Sequence, residues 1–370
     1  MATPSATRER APAIVGTATA LPRHRYDQRE LAQVAQRLLP KLDVKPEVLW
    51  RFFRHAEVEQ RYLALPAERY ESLDGLGARN DAWLEAALPL AERAVDAALR
   101  DAGLAPADVD IAFSTTITGL AVPSLEARLM NRMPFRPDMK RVPMFGLGCL
   151  AGCAGVARAA DYLRAYPDQV ALLLSVELCS LTVQRDDTSV ANLISAGLFG
   201  DGAAAVVLVG AEHPAARGLR VLDSQSAFFA NTERTMGWDV TDTGFKIVLG
   251  KEVPTMAREG LPPLIDALLT RHGLTRAQIA AWVAHPGGPA VITAMCEALG
   301  LRDDALAETR RSLAKIGNLS SASVLFVLDS FRRWVRPSAG SYGMMVAMGP
   351  AFCAEAALLR WDAPPRGTPW

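Results

Sequence analysis

Apolar residues in the first half of the chain follow two alternating patterns. Short runs rich in Val, Ile and Leu indicate buried strands, whereas longer Ala-, Leu- and Arg-rich segments repeat with a helical period. The runs predict strands at 109–116, 141–145, 169–176 and 202–209, and the longer segments predict helices at 89–102 and 149–166. Pro89 fits the first turn of its helix, and an earlier turn at 84–88 would be kinked by it. Alternating strands and helices predict an α/β fold.

The second half repeats this order of elements. It predicts helices at 261–272, 289–299 and 319–334 and strands at 281–284 and 343–348. Each half ends with a Gly-flanked apolar strand that follows a helix with small residues at its start, which we interpret as an internal duplication joined near 211–217. The predicted organisation is a flexible tail at 1–15, a first half at 16–215 and a second half at 216–370.

Composition narrows the class of protein. Of 370 residues, 50% are hydrophobic and 22% are charged, and the formal net charge is zero. This is enough apolar material for a large core, and the balanced charge provides no field that would attract nucleic acid. We therefore expect small molecules or a second copy of the chain as partners.

The sequence also bears on the compartment. No stretch approaches the roughly 18 uninterrupted apolar residues of a membrane span, and the first dozen residues contain no apolar run of signal-peptide length. Five cysteines, an odd number, indicate free thiols in a reducing compartment. We expect a cytoplasmic protein without a stable membrane span.

Cys149 lies between a predicted strand and a predicted helix, in a segment with glycines at 146, 148 and 152. A thiol at the start of a helix faces unpaired backbone N–H groups and the positive end of the helix dipole, which favour the thiolate. The same N–H groups can bind the oxyanion that forms at an acyl carbon attached to sulfur. Cys149 is therefore a candidate nucleophile, with a buried structural cysteine as the alternative.

Two other interpretations of this segment compete with catalysis. The glycine spacing resembles a dinucleotide-binding loop, with Glu177 at the end of the next strand as a ribose-binding acid. Such a loop needs no cysteine, however, and this one occurs in mid-chain. Cys149 and Cys153 have the spacing of half a zinc site, but no second pair completes it, so we expect no metal.

Two polar residues lie at the ends of predicted elements in the second half. His285 precedes Pro286, which disfavours helical backbone, so the histidine should end strand 281–284 at the edge where ligands bind in open α/β sheets. Asn318 stands before the last predicted helix and could cap it. A catalytic amide would have to point away from that helix. Structural roles stay open for both residues on this reasoning.

Taken together, three ordered motifs resemble the type III polyketide synthases, the chalcone-synthase-like family. They are Gly148-Cys149-Leu150-Ala151-Gly152, His285-Pro286-Gly287-Gly288-Pro289 and Gly317-Asn318-Leu319-Ser320-Ser321-Ala322. Segment 198–204 and the closing Gly349-Pro350 are also similar to the family, and the likeness extends from about residue 115 to the end. The run 144–149 is more similar to bacterial members that use fatty acyl starters than to the plant enzymes.

The resemblance implies a thiolase-like α/β fold, in which two similar αβα halves pack as a five-layer αβαβα core, and a homodimer. The first half would carry Cys149 and the second half His285 and Asn318, and the three would meet in one buried cavity. The further residues that the resemblance assigns to the cavity are Phe199, Phe245, Val122, Thr118 and Ser320, of which the two phenylalanines stand at its mouth and Val122 reaches the partner's cavity.

The resemblance also implies a coenzyme A site and a reaction. Arg51, Arg54 and His55 are expected near the CoA phosphates, although Glu57 and Glu59 reduce the charge of that patch. An acyl group from acyl-CoA would be held on the thiolate of a cysteine–imidazolium pair and extended repeatedly by decarboxylative condensation with malonyl-CoA. The histidine and the asparagine would stabilise the enolate, so no metal or other cofactor is required.

Small residues at 121–122 and 196–197 leave room for an alkyl tunnel. We therefore expect a fatty acyl starter and cyclisation to a pyrone or a resorcinol-type product. Two alternatives remain. One is an enzyme similar to the ketoacyl-carrier-protein synthases, which makes a single condensation, and the other is a non-catalytic scaffold that retains the fold.

Overall fold

The computed structural model describes residues 11–41 and 44–362. Its strands are β1 (Ala13–Ala20), β2 (His24–Asp27), β3 (Gln60–Leu63), β4 (Ile111–Thr115), β5 (Lys140–Met144), β6 (Val170–Leu178), β7 (Asp201–Val209), β8 (Leu219–Phe228), β9 (Met236–Thr241), β10 (Gly244–Leu249), β11 (Ile279–Ala284), β12 (Tyr342–Gly349) and β13 (Cys353–Trp361). Its helices are α1 (Gln28–Leu38), α2 (Pro46–His55), α3 (Gly75–Ala102), α4 (Leu125–Leu129), α5 (Ala151–Ala165), α6 (Val190–Leu198), α7 (Val253–Arg271), α8 (Pro289–Leu299), α9 (Ala307–Ile316) and α10 (Ser323–Ser330). The 3-10 turns Gly148–Leu150 and Ser320–Ala322 directly precede α5 and α10.

A mixed sheet of nine strands runs in the order β11-β12-β13-β8-β1-β7-β6-β4-β5. The first half of the chain contributes the neighbouring strands β1, β7, β6, β4 and β5. The second half contributes β11, β12, β13 and β8. Strand β1 pairs with β7 along its length but touches β8 only through the pairs Ala13–Arg220 and Ile14–Leu219. The sheet is therefore two half-sheets that meet at one end of β1.

Helices cover the outer faces of both half-sheets and also separate them. Helix α3 packs on β1, β6 and β7, while α7 packs on β8 and β13 and against α8. Between the half-sheets lie α5, which contacts β6 and β13, and α10, which contacts β1 and β12. Three apolar cores fill the spaces between these layers. The arrangement confirms the predicted five-layer αβαβα core.

The start of the chain differs from the prediction. Strand β1 begins at Ala13, and both Ala13 and Ile14 are fully buried, so the predicted tail at 1–15 is wrong in its last residues. Ile14 packs in the core between the half-sheets, and burial of that side chain fixes the strand. Residues 1–10 of the predicted tail lie outside the described residues.

Helix α3 is longer than its prediction, because it begins at Gly75 and continues through Pro89. The segment from 84 to 102 is thus part of one helix. Farther along the chain, residues 210–218 connect β7 to β8 and include the predicted boundary between the halves.

The β9–β10 hairpin stands apart from the main sheet, and its two strands pair only with each other in the described ranges. It packs on α6. None of the helices within residues 11–41 and 44–362 combines the length and the apolar character needed to cross a membrane.

Candidate active site

Cys149 lies in the 3-10 turn between β5 and α5. The thiol is therefore placed just before the N-terminus of α5, as predicted. Its Sγ atom lies 3.5 Å from the hydroxyl oxygen of Ser320, which belongs to the turn before α10. The two helices between the half-sheets thus begin next to each other, one from each half of the chain.

His285 directly follows β11. Its backbone N–H donates to the carbonyl of Val346 at 2.9 Å, so the parallel pairing of β11 with β12 continues up to the histidine. The side chain is buried, and its Nδ1 atom has no hydrogen-bond partner among the described residues. Because no bond at Nδ1 selects a tautomer, the ring can carry its proton on either nitrogen.

Asn318 is fixed by backbone hydrogen bonds to the first half of the chain. Its N–H donates to Leu198 and its carbonyl accepts from Gly200, both at 2.9 Å, which makes a parallel bridge with Phe199. The preceding residue, Gly317, has a φ of +76°, and a Cβ there would lie 2.7 Å from the Leu198 carbonyl oxygen. Only glycine allows this close approach without strain.

The side chain of Asn318 combines the two roles that the sequence left open. Its Oδ1 accepts from the Ser320 N–H at 2.8 Å, as a cap would. Its Nδ2 makes only a long hydrogen bond, 3.5 Å to the Gly287 carbonyl, on the other side of the amide. The donor end of the amide therefore remains available to a ligand.

Cys149, His285 and Asn318 line one cavity of about 690 Å³. These residues and Ser320 form its polar wall. The remaining lining is largely apolar and comes from α6, the β9–β10 hairpin and the start of α7, including Val190, Ile194, Trp238, Ile247, Leu249 and Val253. An acyl chain placed against the polar wall would thus be surrounded by apolar side chains.

Burial shifts the pKa values of the Cys149 and His285 side chains. It raises the pKa of the Cys149 thiol to about 11 and lowers the pKa of the His285 imidazole to about 3. Each shift by itself favours the neutral form of its group, and the thiolate–imidazolium pair stays a prediction. Transfer of the proton from sulfur to the imidazole would create opposite charges together, and their attraction would offset part of the desolvation cost.

A buried carboxylate, Glu177, lies behind the cavity wall. Its Oε2 accepts from the Thr118 hydroxyl at 2.9 Å and the Ile117 N–H at 3.1 Å, and its Oε1 accepts from the Ser321 hydroxyl. These bonds hold it inside the core, where no ribose could reach it. The dinucleotide-loop interpretation is therefore wrong. An acid in the otherwise apolar strand β6 was the sequence signal for this network.

The remaining predicted site residues divide into two groups. Phe199, Ser320 and His55 line the cavity. Thr118 does not line the cavity, and its hydroxyl donates to Glu177. Phe245 is also absent from the lining, since it is 4% exposed and packs beside Trp238 with ring centroids 6.4 Å apart.

Three predicted residues lie on the surface of the single chain. Val122 is 95% exposed, and Arg51 and Arg54 are exposed on α2, outside the cavity lining. The acids beside this patch pair with cations of the second half: Glu57 lies 3.7 Å from Arg310, and Glu59 lies 2.5 Å from Lys315. Their charges are thereby compensated.

Sequence reasoning missed most of the apolar wall and one cation. Trp238, Ile247 and Leu249 belong to a hairpin for which we predicted no strands. Lys251, directly after the hairpin, lines the cavity together with His55. A positive charge next to an apolar hairpin was the available signal.

Comparisons with known proteins show what the chain is similar to. Residues 73–223 match the family described as FAE1/Type III polyketide synthase-like protein, and residues 220–361 match Chalcone and stilbene synthases, C-terminal domain. The chain is 47% identical over 356 residues to 1,3,6,8-tetrahydroxynaphthalene synthase of Streptomyces peucetius subsp. caesius, covering 95% of this chain and 94% of that protein. It is 34% identical to a putative chalcone synthase of Bacillus subtilis (strain 168), covering 94% and 98%.

A solved structure extends the likeness to three dimensions. The crystal structure of 1,3,6,8-tetrahydroxynaphthalene synthase from Streptomyces coelicolor A3(2) superposes with a TM-score of 0.89 at 30% identity, covering 95% of this chain and 99% of that one. These matches confirm that the fold is thiolase-like and that the protein is an acyltransferase. Because they are to type III polyketide synthases, they exclude both the ketoacyl-synthase alternative and the non-catalytic scaffold. The chain belongs to the type III polyketide synthases.

Proposed function

We propose that this type III polyketide synthase, which condenses malonyl-CoA iteratively, holds its growing chain on Cys149 and uses His285 and Asn318 as its other catalytic residues. The observation that carries the proposal is their convergence on one largely apolar cavity. The proposed chemistry uses only these side chains and coenzyme A thioesters.

In the loading step, the neutral imidazole of His285 takes the proton from the Cys149 thiol. The sulfur attacks the thioester carbonyl, the carbon–sulfur bond to coenzyme A breaks, and the leaving thiolate takes the proton from the imidazolium. This order suits a site in which burial favours the neutral form of both groups.

In the extension step, the malonyl carboxylate leaves as carbon dioxide and its electron pair forms an enolate. Asn318 Nδ2 donates a hydrogen bond to the enolate oxygen, and His285 donates a second from the tautomer with its proton on Nε2. His285 Nδ1 has no hydrogen-bond partner within residues 11–41 and 44–362, so this tautomer is accessible. The carbanion then attacks the acyl carbonyl on Cys149, which releases the sulfur and moves the extended chain onto coenzyme A for reloading.

For the starter, the first candidate is malonyl-CoA itself, because the names of curated relatives give polyhydroxylated aromatic products whose ring carbons malonyl units alone could supply. Proteins named tetrahydroxynaphthalene synthase and phloroglucinol synthase are among them, and neither name contains an alkyl chain. A fatty acyl starter that leads to a pyrone or a resorcinol is the second candidate. It is favoured by the apolar wall formed by Ile194, Ile247 and Leu249.

One experiment separates the two starters. The enzyme is incubated with malonyl-CoA alone and with malonyl-CoA plus acyl-CoAs of increasing length, and products are identified by mass spectrometry. An aromatic polyol from malonyl-CoA alone, undiminished by long acyl-CoAs, supports the first candidate. Products that carry the added alkyl chain and require it would replace it with the second.

We also propose that the thioester enters between His55 and Lys251, which both line the cavity. Arg51 and Arg54 would attract the phosphates of coenzyme A from the exposed face of α2, because the nearby acids are already paired. Lys251→Ala should raise the KM for malonyl-CoA with little effect on kcat. An unchanged KM would show that Lys251 does not contribute to binding at the entrance.

Finally, we propose a homodimer formed through the edge of the first half-sheet. Strand β5 is exposed along most of its length, Phe145 after it is 55% exposed, and Val122 projects fully into solvent. An open edge with exposed apolar residues is a common association surface. Phe145→Glu should yield monomers in light scattering, whereas Phe228→Glu, at a different exposed aromatic, should not.

A further inference from the structure

The β9–β10 hairpin forms much of the apolar cavity wall, although it belongs to neither half-sheet. Trp238, Ile247 and Leu249 of the hairpin line the cavity, and α6 adds Ile194 and Leu198 to the same lining. In the described ranges the two hairpin strands pair only with each other, so no sheet fixes the hairpin relative to α6. The separation of hairpin and helix, and with it the width of the cavity, therefore depends on other contacts.

The backbone of Gln184 is fixed to α6. This residue lies ahead of the helix in the chain and is 5% exposed. Its N–H donates to Asn192 Oδ1 at 3.3 Å, and its carbonyl accepts from Asn192 Nδ2 at 2.8 Å. The same Nδ2 donates to the Asp187 carbonyl at 2.8 Å. Because Asn192 belongs to the first turn of α6, these bonds hold Gln184 to that helix.

The side chain of Gln184 binds the hairpin. Its Oε1 accepts from the hydroxyl of Thr243 at 2.6 Å, and its Nε2 donates to the carbonyl of Phe245 at 3.3 Å and to that of Thr182 at 3.0 Å. Thr243 belongs to the hairpin turn and Phe245 to β10. Gly244 between them has a φ of +125°, and a Cβ there would lie 3.2 Å from Gln184 Nε2. Both ends of the Gln184 amide are thus used, and the turn packs closely against it.

Other polar contacts of the hairpin are weaker or lead elsewhere. Lys246 in β10 lies 3.7 Å from Asp187, but the lysine is half-exposed, and such ion pairs contribute little. The Leu76 N–H donates to the Asp242 carbonyl at 2.9 Å and ties the turn to α3 instead of α6. The Gln184 amide is buried, and a buried polar group that loses its partner costs more than an exposed one. Gln184 is therefore the stronger polar link between the hairpin and α6.

We propose that Gln184 is a positioning residue that sets the width of the cavity by holding the β9–β10 hairpin against α6, and thereby determines how far the polyketide is extended before release. The proposal rests on the proposed function in placing the growing chain on Cys149 inside this cavity. A wall at a fixed distance keeps the chain aligned for the next condensation, whereas a displaced wall lets the chain fold back or leave early.

The test is the product profile of Gln184→Leu, a variant that keeps the approximate size of the side chain and removes both ends of its amide. The full-length enzyme is incubated with malonyl-CoA alone and with malonyl-CoA plus an acyl-CoA, and products are identified by mass spectrometry. We expect the ratio of shorter to fully extended products to rise by roughly threefold or more, because a displacement of about 1 Å strongly slows a positioned reaction. A ratio equal to wild type would overturn the proposal.

Two hydroxyl variants of the hairpin turn keep the test decisive if Gln184→Leu does not fold. Thr243→Val removes the donor to Gln184 Oε1 from an exposed position and should shift the same ratio in the same direction. Thr241→Val is the matched control, because the Thr241 hydroxyl bonds within the turn, to Gly244 and Thr243, and it should leave the ratio unchanged. A wild-type ratio in Thr243→Val, or an equal shift in Thr241→Val, would contradict the proposal.

Amide hydrogen exchange separates positioning from a general loss of stability. Peptides from 236–249 should exchange faster in Gln184→Leu and Thr243→Val, while peptides from α5 should exchange as in wild type. Faster exchange throughout the chain would mean that the variants destabilise the whole fold. A changed product ratio with a wild-type hairpin would mean that Gln184 affects the products by another route. Either result would overturn the proposal.

Failure of this inference is distinguishable from failure of the proposed function. Acyl loading is measured by intact mass after incubation with an acyl-CoA, without any extension. A covalent adduct should form in wild type, in Gln184→Leu and in Cys296→Ala but not in Cys149→Ala. Adduct formation in Cys149→Ala would sink the nucleophile assignment, whereas the exchange of the hairpin would still report on Gln184.

Discussion

The carboxamide oxygen of Asn318 accepts a hydrogen bond from the backbone N–H of Ser320 at 2.8 Å, while the carboxamide nitrogen faces away from that turn. One side chain thus stabilises the turn before α10 and presents a donor to the cavity. Variants that affect one end of the amide and spare the other can separate the two contributions.

Asn318→Asp keeps the oxygen that accepts from Ser320 but lacks the donor. We expect it to fold normally and to decarboxylate malonyl-CoA about 10²-fold more slowly, because one oxyanion donor is lost. Asn318→Ala lacks both ends and should in addition lower the free energy of unfolding by about 1 kcal/mol. Carbon dioxide release and urea unfolding measure the two effects. Normal decarboxylation in both variants would mean that Asn318 serves only as a structural cap.

His285 has two tasks in the proposed mechanism, and a substitution can remove one of them. His285→Ala should slow both acyl loading and decarboxylation by about 10²-fold or more, since the general base and a donor are lost together. His285→Gln retains an N–H donor and should recover part of the decarboxylation rate but none of the loading rate. Single-turnover mass spectrometry follows loading. Normal loading in His285→Gln would exclude the imidazole as the base.

The contact between the two central helices leaves no space for one additional methyl group. A Cβ at Gly152 in α5 would lie 2.2 Å from the Ser321 carbonyl oxygen and 2.7 Å from Val324 Cγ1. Gly152→Ala should therefore lower the free energy of unfolding by about 2 kcal/mol and disturb the site through Ser321. The matched control is Gly77→Ala in α3, where the new methyl group meets nothing within 4 Å and should stabilise the helix by up to about 1 kcal/mol. Similar thermal unfolding of the two variants would contradict this account.

Asp223 should contribute stability that depends on pH. Burial alone would raise its pKa, but hydrogen bonds from His272 and Arg271 outweigh burial and lower it to about 2. A depressed pKa in the folded state means that the contribution is fully present above the unfolded value of about 4 and is lost as the pH falls through 2. Asp223→Asn should therefore cost about 1 kcal/mol at pH 7, a value reduced for partial exposure of the carboxylate, and almost nothing near pH 2. Denaturant unfolding at both pH values measures the difference, and a penalty that persists in acid would point to packing.

Sequence reasoning predicted the main strands and helices from local patterns, whereas the five layers and the shared cavity of Cys149, His285 and Asn318 were implied by the resemblance to the family. A few neighbouring residues are enough to identify a buried apolar strand, a glycine at a turn, or the motifs around Cys149, His285 and Asn318. Local sequence does not show which side chains of the β9–β10 hairpin face the cavity. Phe245 and Trp238 lie on one face of the hairpin, yet only Trp238 lines the cavity. That choice depends on how the hairpin packs on α6, which no spacing rule reports.

The position of Val122 illustrates a different limit. Its 95% exposure is a property of one chain alone, and a residue that functions across an interface acquires its neighbours only in an assembly. The pairing of Glu57 and Glu59 with Arg310 and Lys315 is another long-range fact, since the partners are separated by most of the sequence.

The central layer is built from one helix of each half, and the turns that begin those helices touch at Cys149 and Ser320. On the proposed function, neither half of the polypeptide can therefore assemble a working centre by itself, however well it folds. Cleavage of the backbone within 210–218 should be tolerated while the shared interior holds the fragments together, whereas fragments produced separately should be inert until they associate. Activity therefore requires that the two halves associate, and it does not measure how well either half folds alone.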